Sequence, residues 1–278
     1  MALKLMYITN KPQIAQIAES SGVDRIFVDM EYIGKDKRQG GMDSVQNHHT
    51  VEDVRNIKQT VQLAEVLVRI NPIHEESADY GSSEQEIDEV IRAGADIVML
   101  PYITDAKQVE RFLKDVDGRA RTMLLIETPQ AVAAIDEILL LEGIDEIYIG
   151  LNDLSLGYHK KFMFELLADG TVEALCLKCK LKGIPYGFGG IASLGKGMLP
   201  SEYIICEHYR LGSTCAILSR SFCNVDKVQH IGIISSTFMD GVRAIRELEA
   251  ECESKIQFFR ENEKILARKV RMICEGLA

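Results

Sequence analysis

Residues 122–150, TMLLIETPQAVAAIDEILLLEGIDEIYIG, decide the fold because they contain a strand, a helix and a second strand in order. Both ends are short apolar runs rich in β-forming residues. The segment between them repeats apolar side chains at helical spacing, at Val132, Ile135, Ile138 and Leu139. Two strands joined through a helix pair in parallel. The stretch therefore predicts one β-α-β unit of a parallel sheet.

The same alternation continues along the chain and supplies eight candidate strands. They are LKLMYIT, DRIFVDM, VLVRI, DIVMLPY, TMLLIET, IDEIYIG, IPYGFG and STCAILS. These runs are almost entirely apolar, as strands covered on both faces are, and eight parallel strands close a barrel. We therefore predict an α/β fold, a (β/α)8 TIM barrel with an extended C-terminal helical segment. An open doubly wound sheet is the alternative, but no G-x-G-x-x-G follows the first strand.

The chain continues well past the eighth run. Its 278 residues, 46% of them hydrophobic, can bury one large core, and no linker interrupts residues 1–236. This predicts a catalytic barrel over 1–236 and a C-terminal helix over 237–278. The helix carries an apolar stripe at Phe238, Val242, Ile245, Leu248, Cys252, Ile256 and Phe259. We expect the stripe to pack on a neighbouring subunit; the alternative is a cap over the base of its own barrel.

Charge and composition exclude several classes of partner. A net charge of -10 with no block of Lys and Arg argues against nucleic acid. No apolar run approaches the ~20 residues of a membrane span and the N-terminal residues do not resemble a signal peptide, so we expect no membrane partner and a cytoplasmic protein. The seven scattered cysteines indicate reduced thiols. Cys176 and Cys179 of CLKC fall in a helical pattern and are predicted to pack in the core.

Charged residues follow several predicted strands at the ends that form the active face of such barrels. Asp29 and Glu31 follow strand two, Arg69 ends strand three, and Glu127 and Asp153 follow strands five and six. Clustered carboxylates repel one another unless a proton, a cation or a metal intervenes. Two acids on neighbouring strands suit Mg²⁺ or Mn²⁺, with waters and substrate oxygens completing the coordination. The alternative is that these acids cap helices.

Such an ion would suit one kind of substrate. A molecule with a carboxylate next to a carbonyl group can chelate the ion, and the fork of Arg69 can hold one of its oxygens. This arrangement favours formation of an enolate.

The stretch 123–157, MLLIETPQAVAAIDEILLLEGIDEIYIGLNDLSLG, resembles the signature of the HpcH/HpaI aldolase and citrate lyase family. The resemblance implies that Glu127 and Asp153 bind a divalent metal and that Arg69 stabilises an enolate of a pyruvate or acetyl group. Asp29 and Glu31 match acids that order metal-bound water and the arginine. It also implies reversible carbon–carbon cleavage and a homo-oligomer, a trimer or hexamer, that exchanges its last helix. Neighbouring positions assigned to the substrate are Tyr32, Asn152 and Ser155.

Two departures from the family concern the catalytic base. Tyr32 stands where the hydroxy-oxo-acid aldolases have a histidine, and Arg92 stands where they have the aspartate that orients it. The short connection DVDGRART before strand five is closer to the citrate lyase branch. The loop GKDKRQGGMDSVQNHHT, residues 34–50, brings His48 and His49 as candidate replacements for the base. The alternative is that both are solvent-exposed loop histidines.

A glycine-rich segment follows strand seven, GFGGIASLGKGMLP, residues 187–200. Gly190, Gly195 and Lys196 have the spacing of a phosphate loop, but Gly197 replaces the required Ser or Thr. We assign Gly189, Gly190 and Lys196 to a substrate-binding loop for a carboxylate, phosphate or CoA pyrophosphate. The alternative is a series of tight turns.

Together these residues predict a metal-dependent lyase that makes or cleaves 2-oxo acids through a pyruvate-type enolate, with Mg²⁺ or Mn²⁺ as cofactor. Its partners would be a small 2-oxo acid and an aldehyde or CoA ester. One alternative is an acyl-CoA lyase of the citrate or malyl-CoA type. Another is a non-catalytic paralogue that binds 2-oxo acids.

Overall fold

A computed structural model of the protein describes residues 2–34, 48–228, 230–254 and 258–277. Eight parallel strands form a closed barrel in chain order, with β1 pairing with β8. The strands are β1 Lys4–Ile8, β2 Arg25–Asp29, β3 Glu65–Arg69, β4 Ile97–Leu100, β5 Arg121–Ile126, β6 Glu146–Ile149, β7 Tyr186–Ile191 and β8 Cys215–Leu218. Each of the eight apolar runs overlaps one of these strands, so the predicted (β/α)8 barrel is confirmed.

Helices surround the barrel and connect its strands. They are α1 Pro12–Ser20, α2 Val51–Thr60, α3 Ser83–Ala93, α4 Ala106–Val116, α5 Pro129–Ala133, α6 Ile135–Ile138, α7 Leu151–Gly157, α8 Glu165–Ala168, α9 Thr171–Lys182, α10 Ser201–Leu211, α11 Ile231–Ser254 and α12 Phe258–Cys274. None of the helices in the described ranges is both long and apolar enough to cross a membrane. Cys176 and Cys179 are buried and unpaired in α9, which confirms their predicted place in the core.

The strands bury side chains on both faces, which explains their apolar sequences. The larger core lies between the strands and the helices, and a second cluster fills the barrel interior. The interior side chains are Met6, Phe27, Leu67, Ile97, Met99, Met123, Leu125, Tyr148 and Cys215. The barrel interior is therefore filled by side chains and is not a pore.

The long C-terminal stripe packs, over its first half, within its own chain; Ile256 lies outside the described residues. Its residues Phe238, Val242 and Ile245 are buried in the core of the same chain, and α11 packs against α1 and α10. A barrel of eight β-α units needs an eighth helix between the seventh and the first, and α11 takes this place. The stripe thus has a partner within its own chain, and contact with another subunit stays a prediction.

The last helix, α12, is also attached to its own barrel. It packs on α8 and α10. The Asn262 side chain, which is fully buried, donates from Nδ2 to the backbone oxygen of Tyr203 at 3.0 Å and to Oε1 of Glu207 at 2.8 Å. Burial raises the pKa of Glu207, while Arg210 and Asn262 stabilise its charged form. These contacts hold the C-terminal helix against the outer ring.

A buried histidine lies behind β7. His208 is fully buried, stacks on Phe188 with ring centroids 3.9 Å apart, and its Nδ1 lies 2.8 Å from Oγ of Ser213. Desolvation lowers its pKa to about 3, so the ring is neutral in the folded protein at neutral pH.

This histidine should make stability depend on pH. Its pKa is near 6.5 in the unfolded chain and about 3 in the fold, so its stabilising contribution is complete above pH 6.5 and is lost as the pH falls toward 3. Between pH 7.5 and 5.0 we expect this histidine alone to remove about 2 kcal/mol from the free energy of unfolding. Urea unfolding at both pH values should therefore show a pH dependence that differs by about this amount between the wild type and His208→Phe, whereas the control His230→Gln should follow the wild type. An equal pH dependence in the wild type and His208→Phe would contradict the assignment.

Candidate active site

The carboxyl ends of the strands surround a cavity of about 380 Å³. The lining includes seven residues that the sequence assigned to the site: Asp29, Arg69, Glu127, Asn152, Asp153, Gly189 and Gly190. They come from β2, β3, β5 and β7 and from the start of α7. The barrel therefore brings together most of the polar residues predicted from strand ends.

Glu127 follows β5 and is 4% exposed. Its Oε1 accepts a hydrogen bond from the backbone N–H of Tyr102 at 3.0 Å. Burial, reinforced by the nearby charges of Glu31 and Asp153, raises the pKa of this carboxyl to about 8. Gly150 makes room for it, since a Cβ there would lie 2.8 Å from the Glu127 Cβ.

Helix capping does not account for these two acids. Thr128, not Glu127, caps α5, because its Oγ1 accepts from the backbone N–H of Ala131 at 3.0 Å. Asp153 lies in the first turn of α7, whose N-cap is Gly150. Asn152 donates from Nδ2 to Oδ1 of Asp153 at 3.2 Å. Glu127 and Asp153 therefore line the cavity, and neither is an N-cap residue.

Arg69, at the end of β3, is held by two acids. Its Nε and Nη2 each donate to an oxygen of Asp29 at 2.8 Å, and Nε lies 3.4 Å from Oε2 of Glu31. Its guanidinium carbon lies 5.5 Å from the centre of the Phe27 ring. Burial alone would lower the pKa of Arg69, but the charges of Asp29 and Glu31 raise it, so the group stays cationic.

The candidate bases lie outside the described lining of the cavity. Nδ1 of His49 accepts a hydrogen bond from the backbone N–H of Asp29 at 3.0 Å. His48 is exposed. Tyr32 is 43% exposed, with its backbone N–H bound to Oδ1 of Asn71. Most of the loop, residues 35–47, lies outside the described residues, so the identity of the base stays a prediction.

Two predicted substrate residues also lie away from the described lining. Ser155 is buried and its hydroxyl donates to the backbone oxygen of Asn152 at 2.7 Å. Lys196 is exposed. In its loop, the Ala192 N–H donates to Oγ of Ser201 at 2.9 Å and the Gly195 N–H donates to Oε1 of Glu202 at 2.6 Å. Side chains of α10 thus accept hydrogen bonds from these two amides. This agrees with the alternative interpretation of the segment as a series of tight turns.

Several lining residues were missed by the sequence argument. They are Tyr7, Tyr148, Ser219, Arg220, Asn224 and Asp226. The hydroxyl of Tyr148 accepts from the backbone N–H of Ile217 at 2.9 Å and donates to the oxygen of Gly189, which bridges an irregularity between β7 and β8. Ser219 and Arg220 follow β8 directly, so inspection of that strand end would have found them.

Comparison with known proteins identifies the family and agrees with the fold. A family model described as HpcH/HpaI aldolase/citrate lyase matches residues 4–188. No curated protein matches the chain. An HpcH/HpaI aldolase from Desulfitobacterium hafniense DCB-2 has a structure with a TM-score of 0.59 and 17% identity, covering 78% of this chain and 86% of its own. A protein described as citrate synthase SbnG gives a TM-score of 0.58 and 16% identity, covering 78% and 85%. At these identities the structural likeness concerns the fold.

Proposed function

Because the chain belongs to the HpcH/HpaI aldolase/citrate lyase family, we propose that this lyase fold carries a metal-dependent aldolase acting on 2-oxo acids through a pyruvate-type enolate. The observation that supports the proposal most directly is the common cavity of Glu127, Asp153 and Arg69. Through a bound metal ion, the two acids could hold the carboxylate and the adjacent carbonyl group of a 2-oxo acid. The fixed cation could bind one of the substrate oxygens.

The residues present suit a divalent metal. In the described residues no cluster of three or more His, Cys, Asp and Glu side chains is placed to hold an ion. Mg²⁺ commonly uses one or two carboxylates and takes its other ligands from water and substrate, so Glu127 and Asp153 suffice. The raised pKa of Glu127 fits the same idea, since a nearby cation would relieve the repulsion from Glu31 and Asp153. When bound, the ion would supply Lewis acidity at the substrate carbonyl.

The protein's own residues would then position and stabilise the substrate. Asp29 holds Nε and Nη2 of Arg69, which leaves Nη1 to donate to a substrate oxygen as negative charge develops there. Glu31 helps to keep the guanidinium in place. Glu127 and Asp153 would orient the carboxylate end through the ion.

In the cleavage direction, the reaction needs one proton transfer before the carbon–carbon bond breaks and one after it. The aldol hydroxyl loses its proton to a base and the carbon–carbon bond breaks. The aldehyde leaves, and the bonding electron pair becomes the enolate of the 2-oxo acid, which then gains a proton on carbon. His48 and His49 remain our candidates for the base; because Nδ1 of His49 accepts the Asp29 N–H, His49 would have to release this contact to take up a proton.

The acyl-CoA alternative has less support. A CoA pyrophosphate would need backbone N–H groups of the loop after β7, and Ser201 and Glu202 occupy two of them. The non-catalytic alternative requires binding of 2-oxo acids without enolisation.

The proposal predicts exchange of the methyl protons of pyruvate with solvent. In D2O with Mg²⁺ or Mn²⁺, the methyl signal in the proton NMR spectrum should decay with the protein present, and EDTA should stop the decay. Exchange requires an enolate but no aldehyde, so it tests the proposed site before the acceptor is known. Absence of exchange with every divalent ion, alongside measurable pyruvate binding, would favour the non-catalytic paralogue and defeat the aldolase proposal.

A further inference from the structure

Two buried thiols lie next to each other where α11 packs on α10. Sγ of Cys206 on α10 lies 3.3 Å from Sγ of Cys252 on α11, and each residue is 2% exposed. The two residues are 46 positions apart in the chain, so the fold and not the local sequence brings them together. Cys252 belongs to the apolar stripe of the C-terminal segment, and this part of the stripe therefore meets a thiol of its own barrel.

The turn of α11 before Cys252 is tied to the first strand. Oε1 of Glu249, which is buried, accepts from the backbone N–H of Leu3 at 2.8 Å, and Oε2 accepts from Nη1 of Arg246 at 2.8 Å. Nη1 of Arg246 also donates to the Leu3 oxygen at 2.8 Å. Because Leu3 adjoins β1, these contacts fix α11 against the barrel close to Cys252.

The residue next to Cys206 on α10 is anchored as well. Glu207 is buried, and its Oε2 accepts from Nε of Arg210 at 2.8 Å. Its Oε1 accepts from Nδ2 of Asn262 on α12 at 2.8 Å. Both helices are therefore held in place on either side of the contact between the two thiols.

The contact is close to the geometry of a covalent bond. A disulfide bond is about 2.0 Å long, so the two sulfur atoms have to approach by roughly 1.3 Å. Each sulfur lies one bond beyond its Cβ, and rotation about the Cα–Cβ bond moves it. The packing of α11 on α10 already supplies most of the approach that the bond requires.

The environment favours the protonated thiol at Cys206. Its contact with the Cys252 thiol and its burial raise its pKa well above the usual value, and the charges of Glu207 and Glu202 act in the same direction. Because the thiolate is the reactive form, oxidation of the pair should be slow. Once one sulfur is oxidised, the other is already in contact with it, so bond formation should outrun further oxidation.

We propose that Cys206 and Cys252 form a reversible disulfide that clamps α11 onto α10 within one chain, with a small peroxide as the oxidant. One sulfur attacks hydrogen peroxide, the O–O bond breaks, and a sulfenic acid and one water form. The second sulfur then attacks the sulfenic sulfur, the S–S bond forms, and the sulfenic oxygen leaves as a second water with the remaining thiol proton. The two sulfurs lose two electrons, which reduce the peroxide. The clamp involves neither metal acid, so it does not depend on the proposed function.

Thiol counting tests the proposal on the folded, full-length protein. The protein is treated with hydrogen peroxide, then denatured and alkylated with N-ethylmaleimide, and its mass is measured. Five of the seven cysteines should be alkylated, seven minus the two that are joined, and all seven should be alkylated after reduction with dithiothreitol. Tryptic digestion without reduction should give one linked product of residues 197–210 and 247–255, which contain Cys206 and Cys252.

Serine variants provide the matched controls. Cys206→Ser and Cys252→Ser should each keep all six remaining thiols open to alkylation after the same treatment. Cys179→Ser removes a buried thiol from α9 and should still form the linked product. The oxidised wild type should unfold at a urea concentration higher by on the order of 1 M, because the bond closes a loop of 46 residues. Treated Cys206→Ser should show no such shift.

Three results would overturn the proposal. The first is seven alkylated thiols in the wild type after exposure extended well beyond the time that oxidises added glutathione. The second is a bond between Cys176 and Cys179 in place of the expected one. The third is a disulfide-linked dimer on a non-reducing gel, which would show that the two thiols meet between chains and not within one.

Discussion

Glu127→Gln and Asp153→Asn are each expected to slow the metal-dependent exchange of pyruvate protons by at least about 100-fold. Both variants keep the shape of the side chain, and an amide oxygen at 127 can still accept the hydrogen bond from Tyr102. Each removes one of the two acids that would hold the ion. The NMR exchange assay and titration with Mn²⁺ should report the same loss. Asp226→Asn is the matched control, because Asp226 lines the same cavity but pairs with Lys11.

In contrast to the rate of proton exchange, the free energy of unfolding should not fall in Glu127→Gln. The buried carboxyl of Glu127, whose pKa is raised to about 8, is costly to ionise in the metal-free protein. Glu127→Gln should therefore unfold in urea no more easily than the wild type when metal is absent.

Metal affinity of the wild type should rise about tenfold per pH unit up to pH 8, because the ion displaces the proton. Full exchange in either variant, or equal loss in Asp226→Asn, would refute the metal assignment.

The barrel and its acids could be predicted because both depend on local patterns. Strands covered on two faces must be apolar throughout, and the rule that active residues follow such strands located Glu127, Asp153 and Arg69. To predict that these residues share one cavity, only the order of the strands is needed, and parallel β-α-β units impose that order. Their prediction required no knowledge of which side chains make contact between distant parts of the chain.

The contact of the C-terminal segment with its own barrel was not predicted because the strands were counted and the helices were not. Eight strands leave a gap in the outer ring unless a helix follows the last one, and α11 fills it between α10 and α1. The buried face of α11, with Phe238 and Ile245, is thus required by the barrel itself. A count of the helices would have predicted this contact within the chain.

Other features depend on contacts that spacing does not reveal. The loop after β7 has the glycines of an anion site, yet Glu202 reaches back to the N–H of Gly195. His49 lies twenty residues from Asp29 in the chain, and its ring binds the Asp29 backbone. Such contacts depend on loop conformation, which is set by tertiary packing rather than by local sequence.

The base of the barrel contains a charge cluster whose disruption should strongly destabilise the fold. Arg25 starts β2 and is fully buried. Its Nη1 donates to Oε2 of Glu146 at 2.8 Å, its Nη2 donates to Oε1 of Glu146 at 2.5 Å, and its Nε donates to Oε2 of Glu65 at 3.0 Å. Arg121 joins the cluster from β5, where its side chain is partly exposed. These strand starts lie opposite the cavity, so the cluster belongs to stability rather than to the site.

Arg25→Met should lower the free energy of unfolding by about 3 to 5 kcal/mol, because it leaves the buried carboxylate of Glu146 without its main partner. The double variant Arg25→Met/Glu146→Met should be more stable than Arg25→Met alone, because no buried charge then remains unpaired. Urea unfolding of the two single variants and the double variant provides the measurement. A loss below about 1 kcal/mol in Arg25→Met, or a double variant less stable than it, would show that the pair contributes little.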